Sequence, residues 1–213
     1  MDRIYNEPVF RFFPERWQAE ALCKGNVWIS TLETCRNYED PLQGDRKEAV
    51  HTYNTGDIFG DTGDPQFDEI SARVGVGGFN SRGVRLVNCI SNQYIPDAYV
   101  LCTTTEFCPK DLSETFGMHC VKIEDPARFF AQVSVSINKI SKLKESAMGK
   151  VKYKSREYLG YQDPPGLLGF VKPIDPYITQ KEFRFIWIPQ NQNSLKPFLL
   201  SCPEVRNLCS IVS

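Results

Sequence analysis

Histidine is scarce, and long apolar runs are missing. His51 and His119 are the two histidines of the 213-residue chain. None of Cys23, Cys35, Cys89, Cys102, Cys108, Cys120, Cys202 and Cys209 has another cysteine three positions away. Zinc sites draw on Cys and His in closely spaced pairs, so no metal is expected. Several of the eight cysteines lie in apolar surroundings, such as Val87-Asn88-Cys89-Ile90 and Val100-Leu101-Cys102. Free, mostly buried thiols of a reducing compartment are therefore expected rather than a disulfide framework. No signal peptide opens the sequence and no apolar run is long enough to span a bilayer. The expectation is a cytoplasmic protein with no membrane partner. Excess charge is lacking too: Lys and Arg number 25, Asp and Glu 26, and the net charge is -1. No global field advertises a nucleic acid or a membrane.

The even total conceals an asymmetry. From Glu33 to Glu69 ten acidic residues face three basic ones, and from Lys139 to Arg156 seven basic residues face one acidic, Glu145. Two solvated faces are the structural reading of such runs. Strands are expected at Val9–Phe13, Val27–Thr31, Val84–Ile90, Ala98–Thr105, His119–Ile123, Lys150–Lys154, Phe198–Leu200 and Cys209–Val212. Helices are expected at Glu15–Cys23, from Leu32 to near Tyr38, at Lys110–Phe116 and from Pro126 to about Leu143. Asp40 to Phe79 has little periodicity and reads as a long loop or insertion. Its Gly75-Val76-Gly77-Gly78 has no helix behind it and carries little weight as a phosphate loop. Many short strands with helices between them imply an α+β fold. We read it as one domain, 1–213, with an irregular insertion at about 40–80.

The most informative stretch is Tyr177-Ile178-Thr179-Gln180-Lys181-Glu182-Phe183-Arg184-Phe185-Ile186-Trp187. From Glu182 on it alternates like a half-buried strand, and Lys172-Pro173-Ile174-Asp175-Pro176 before it cannot be helix or central strand. Side chains at i and i+2 of an extended segment point the same way, so Gln180 and Glu182 are expected to face one ligand together.

Tyr177-x-x-Gln180-x-Glu182, on a loop running into a strand, resembles the catalytic loop of ADP-ribosyltransferases. In the Arg-Ser-Glu branch of that superfamily an Arg lies on the first strand and a hydroxyl-bearing strand lies mid-chain. Phe10-Arg11-Phe12 resembles the first, and Tyr99 to Thr105, with Thr103-Thr104-Thr105 where serines are usual, resembles the second. The chain is also similar to a group of bacterial and phage proteins with an Arg strand, an R-I-S-T-L-x-x-x-R segment and a Lys-Pro-x-x-x-Tyr-x-x-Gln-x-Glu-x-Arg block. Trp28-Ile29-Ser30-Thr31-Leu32 with Arg36 matches the middle piece.

The resemblance implies an ADP-ribosyltransferase-like split β-sandwich with inserted helices, and an enzyme that takes NAD as a substrate. Glu182 would stabilise the oxocarbenium-like ribose, as carboxylates do in glycoside hydrolysis. Arg11 would hold a phosphate or the nicotinamide-side backbone, where a permanently charged fork suits the pyrophosphate. Thr103, with Ser30, Thr31 and Tyr177, would complete the NAD site, a hydroxyl from Thr103 to Thr105 would brace Glu182, and Tyr177 would stack on, or hydrogen-bond to, the acceptor. Gln180 cannot act as a base but can pair with an amide or a nucleobase edge. Lys150, Lys152, Tyr153, Lys154 and Arg156, with Tyr158 and Tyr161 nearby, form the basic and aromatic mixture that single-stranded nucleic acid binding needs. The acceptor expected is an RNA or single-stranded DNA base, with a protein side chain such as Asn as the runner-up. Such a transferase resembles a toxin or anti-phage effector, for which an antitoxin partner is expected. Three other readings are a non-catalytic nucleotide- or partner-binding module, a metal-dependent nuclease using Asp40, Asp45 or Glu48 with Glu182, and plain cross-strand ion pairing of Glu182 and Arg184.

Overall fold

The structure is a computed structural model, and it describes residues 5–40, 42–77, 80–107 and 116–212. In chain order the elements are β1 (Val9–Phe13), α1 (Arg16–Cys23), β2 (Asn26–Thr31), α2 (Leu32–Asn37), β3 (Val50–Asn54), β4 (Asp57–Gly60) and α3 (Pro65–Arg73). Next come β5 (Val84–Val87), β6 (Ile90–Tyr94), β7 (Tyr99–Thr104), β8 (His119–Ile123), α4 (Pro126–Ile140) and β9 (Leu143–Lys150). The chain ends with β10 (Lys152–Tyr153), β11 (Glu157–Leu159), β12 (Val171–Lys172), β13 (Glu182–Pro189), β14 (Phe198–Ser201) and β15 (Cys209–Val212). This is an α+β fold, mostly sheet with few helices. The described residues fall into two compact units: 1–48, 96–151 and 175–213 in one, 49–95 and 152–174 in the other.

In the first unit the strands run β14-β2-β7-β1-β8-β15, with β13 joined to both β7 and β9. One edge of β7 pairs with β13 from Tyr99↔Trp187 to Thr104↔Glu182. The other edge is shared: β2 takes Tyr99 and Val100, while β1 takes Thr104. The sheet therefore forks at β7. β13 is buried along nearly its whole length, because both its faces are covered. The sequence reading of a half-buried strand is corrected here: Glu182 and Arg184 lie inside. Its apolar face, Phe183, Phe185 and Trp187, packs on Phe129, Val133 and Ile137 of α4. Their spacing of four brings those α4 residues onto one stripe, and Trp187 Nε1 donates to Ser134 Oγ at 2.7 Å. Asp125 caps α4 by accepting from Arg128 N, and Pro126 occupies its first turn.

The second unit has its own core of Tyr53, Ile58, Phe67, Ile70, Leu86 and Tyr158. It overturns the expected irregularity at 40–80, since β3, β4 and α3 lie there. Their order was illegible because β3 pairs with β6 and β11, far along the chain. The expected strand Val84–Ile90 is two strands, divided where Asn88 takes a positive φ of 49°. Leu143 belongs to β9 rather than to the helix, and the expected strand Lys150–Lys154 divides between β9 and β10. The expected helix Lys110–Phe116 lies almost wholly outside the described residues, as do Cys108 and Gly78. Among the described residues no helix is long and apolar enough to cross a membrane.

Candidate functional site

Glu182 and Arg184 are two residues apart on β13, so they share a face, and both are shut away from water at 5% and 1% exposure. Arg184 Nε donates to Glu182 Oε1 and Nη2 donates to Oε2 at 3.1 Å. On its other side Arg184 donates from Nη1 to Glu48 Oε1 at 2.6 Å and from Nη2 to Glu48 Oε2 at 2.8 Å. Burial disfavours the Arg184 charge, but the two carboxylates more than reverse it and raise its pKa well above the ordinary value. Opposite residues of an antiparallel pair share a face, so Cys102 and Thr104 of β7 lie on this side and Thr103 on the apolar one.

Cys102 links the cluster to the fork of the sheet. Its thiol is pushed well up by a hydrogen bond with Cys35, then by burial and by Glu182. The thiols of Cys102 and Cys35 and the phenol of Tyr38 are in turn the groups that favour the charge on Arg11. Burial outweighs them and lowers the Arg11 guanidinium to about 10. Arg11 Nη1 is buried with no hydrogen-bond partner, while its guanidinium carbon lies 5.3 Å from the centre of the Phe13 ring. Glu48, Glu182 and Arg184 thus form a buried ion-paired cluster, and Cys102 and Cys35 stand between it and Arg11.

Other sequence-derived residues are placed differently. Gln180 ends a 3-10 turn, and Lys181 is left-handed at φ 44° and ψ 44°. The extended geometry that would aim Gln180 alongside Glu182 is therefore absent, and Gln180 Nε2 donates to Leu42 O. Tyr177 is buried, and its hydroxyl donates to Gly44 O at 2.8 Å. It is not presented for stacking. Thr103 Oγ1 donates to Phe183 O at 2.8 Å, and Thr105 Oγ1 to Lys181 O at 3.1 Å. These threonines brace the backbone on either side of Glu182 rather than its carboxylate. Thr31 caps α2, accepting from Thr34 N at 3.1 Å. Its neighbour Ser30 pairs with Val100. Thr31 also lines an open groove of about 780 Å³ with Tyr38, Glu39 and Asp40.

The basic run is divided between the two units. Lys150 ends β9, with its ammonium 4.8 Å from the Tyr5 ring centre. Lys152 and Lys154 are exposed and Tyr153 is half-buried, but in the second unit. Arg156 is buried there, donating from Nε to Val171 O at 2.7 Å. Tyr158 is a core residue, and Tyr161 is exposed. Of the carboxylates named for a nuclease site, Asp40 accepts from Leu42 N, Asp45 from Lys47 N, and Glu48 pairs with Arg184.

Sequence reasoning left out Arg184 as a site residue, though its i+2 spacing from Glu182 was readable. Glu48 is legible only as a nuclease carboxylate beside Glu182, not as a partner of Arg184, and Cys35 is not singled out; both reach their partners through tertiary packing. Compared with family models, with curated proteins and with solved structures, the chain matches none.

Proposed function

We propose that the unit containing β13 is an NAD-dependent mono-ADP-ribosyltransferase with an ADP-ribosyltransferase-like split β-sandwich. One observation carries the reading: a buried guanidinium nitrogen of Arg11 without a partner, linked to Glu182 through Cys102. An unmet buried donor costs about 1–3 kcal/mol, and more when it is charged. A pyrophosphate oxygen of NAD would answer it in the geometry a guanidinium favours. Glu182 then stands where a carboxylate is needed for the positive charge that develops on the ribose. In the transfer the bond from nicotinamide nitrogen to ribose carbon breaks. Its electron pair leaves with neutral nicotinamide, and an acceptor atom bonds to that carbon as it loses its proton. The acceptor proposed is an RNA or single-stranded DNA base, and the role is that of an effector restrained by an antitoxin.

The deciding experiment incubates the protein with ³²P-labelled NAD and separate RNA, DNA and protein pools. Label is expected in a nucleic-acid pool. Label confined to protein would shift the acceptor to a side chain, and label in none would sink the transferase reading. Glu182→Gln keeps one acceptor beside Arg184, whose charge Glu48 still balances, and should leave the circular dichroism unchanged while lowering transfer by about 10²-fold or more.

A second reading has its own observation. Both oxygens of Glu182 are bonded to Arg184, and Gln180 and Tyr177 hold the 42–44 segment. A binding module that never releases nicotinamide would keep such ties. NAD binding without nicotinamide release would select it.

A further inference from the structure

A separate site lies on the same unit, between the start of α2, the residues before β7 and the loop after β13. Asp97 is 4% exposed. Its Oδ1 accepts from Glu33 N at 3.0 Å and from Ala98 N at 2.8 Å, which ties the first turn of α2 to the entry of β7. Its Oδ2 is buried with no hydrogen-bond partner, and so is Gln192 Oε1. Asp97 and Gln192 are both lining residues of one cavity of about 530 Å³, together with Glu33, Arg36, Asn37 and Asn193.

Both unmet atoms are acceptors, one of them charged, so whatever answers them must donate. The Glu33 side chain is exposed and adds a second carboxylate to the lining. The lining's cation, Arg36, is turned to backbone, donating from Nε to Glu48 O and from Nη1 to Pro96 O. Burial, followed among the raising influences by the Glu33 charge, lifts the Asp97 carboxyl above its ordinary range despite the backbone donors and Arg36. A cation beside Oδ2 would relieve that burden. A lone water needs roughly 30 Å³, whereas this cavity has room for a small molecule. It adjoins the 780 Å³ groove through Glu33 and Asn37, which line both. An anion would meet two carboxylates there.

We propose that this cavity binds a small organic cation rich in N–H donors, of the alkylguanidine or alkylamine class, with Asp97 Oδ2 and Gln192 Oε1 as its acceptors and Glu33 at its mouth. The site does not depend on the transferase reading, because it shares no residue with the Arg11–Glu182 cluster.

The test titrates the full chain with agmatine and with putrescine, using the neutral isostere N-butylurea as control, and follows heat and amide chemical shifts. Saturable binding of agmatine, putrescine or both is expected, with shifts centred on Asp97 and Gln192 and weakening as salt is raised. Asp97→Asn keeps the Oδ1 contacts that join α2 to β7 and should weaken binding by about tenfold or more. Gln192→Met, which removes the orphan amide oxygen without disturbing a bonded atom, should weaken it by a smaller factor. The proposal is overturned if neither cation binds, if N-butylurea binds as well as agmatine does, or if both variants bind like the unaltered chain.

Discussion

Arg184 is the residue on which the centre of the first unit depends. It is a guanidinium held by two carboxylates at 1% exposure. Removing one partner from a buried pair leaves an uncompensated charge, which typically costs about 3–5 kcal/mol. Arg184→Met strands both Glu48 and Glu182 and should lose at least that much in urea unfolding. Glu48→Gln leaves the Glu182 pair intact and keeps an acceptor, so its loss should be about 1–2 kcal/mol. A larger loss for Glu48→Gln would mean that Arg184 is not the keystone. The ion pairing of Glu182 and Arg184 was readable from their spacing, since i and i+2 share a strand face. Glu48 was not, because 136 positions separate it from Arg184 and nothing local marks it.

At the scale of elements, the joints are set by backbone geometry. Gly25 ends α1 at φ +83°, and a Cβ there would lie 2.7 Å from Cys202 O and 2.8 Å from Pro203 Cα. Both obstacles are backbone, and Cys202 N also donates to Gly25 O at 2.7 Å. Gly63 has a similar φ of +97° but open space around the added carbon. Gly63→Ala should therefore cost only the conformational penalty, about 1–2 kcal/mol. Gly25→Ala should cost clearly more, because segments must move apart as well. Thermal melts of the two variants compare them directly, and equal losses would refute the close approach at Gly25. The Gly25 stop was legible in the sequence, as were α1, β1, β2, β7, β8 and the start of β13 at Glu182. Lys181 was not: a left-handed lysine has no sequence mark, and it diverts Gln180 away from Glu182.

For the molecule as a whole, acid stability follows from one buried histidine in the second unit. Burial, then the charges of Arg156 and Lys154, lower the His51 pKa to about 4. The unfolded chain takes up that proton near the ordinary value of about 6.5, while the folded chain resists until pH 4. The unfolded state thus binds more protons in this window, and stability falls as pH drops from about 6.5 to 4. The loss should be on the order of 2–3 kcal/mol. Urea midpoints measured across the window should show it, and His51→Gln should remove that increment. An unchanged pH slope in the variant would place the acid sensitivity elsewhere.

Composition and the two periodicities determined by themselves that this is an α+β protein of short strands, and they placed most elements of the first unit. These signals are local: each depends on neighbours within a few positions, and water reads them the same way in any fold. Tertiary structure alone decided the contents of the polar cluster. Glu48 reaches Arg184, and Cys35 and Arg11 reach the neighbourhood of Cys102, across long stretches of chain. It also decided that Thr103 faces the core and that Arg156 lies inside rather than on a basic face. Those outcomes depend on register and burial, where a shift of one residue reverses every side chain.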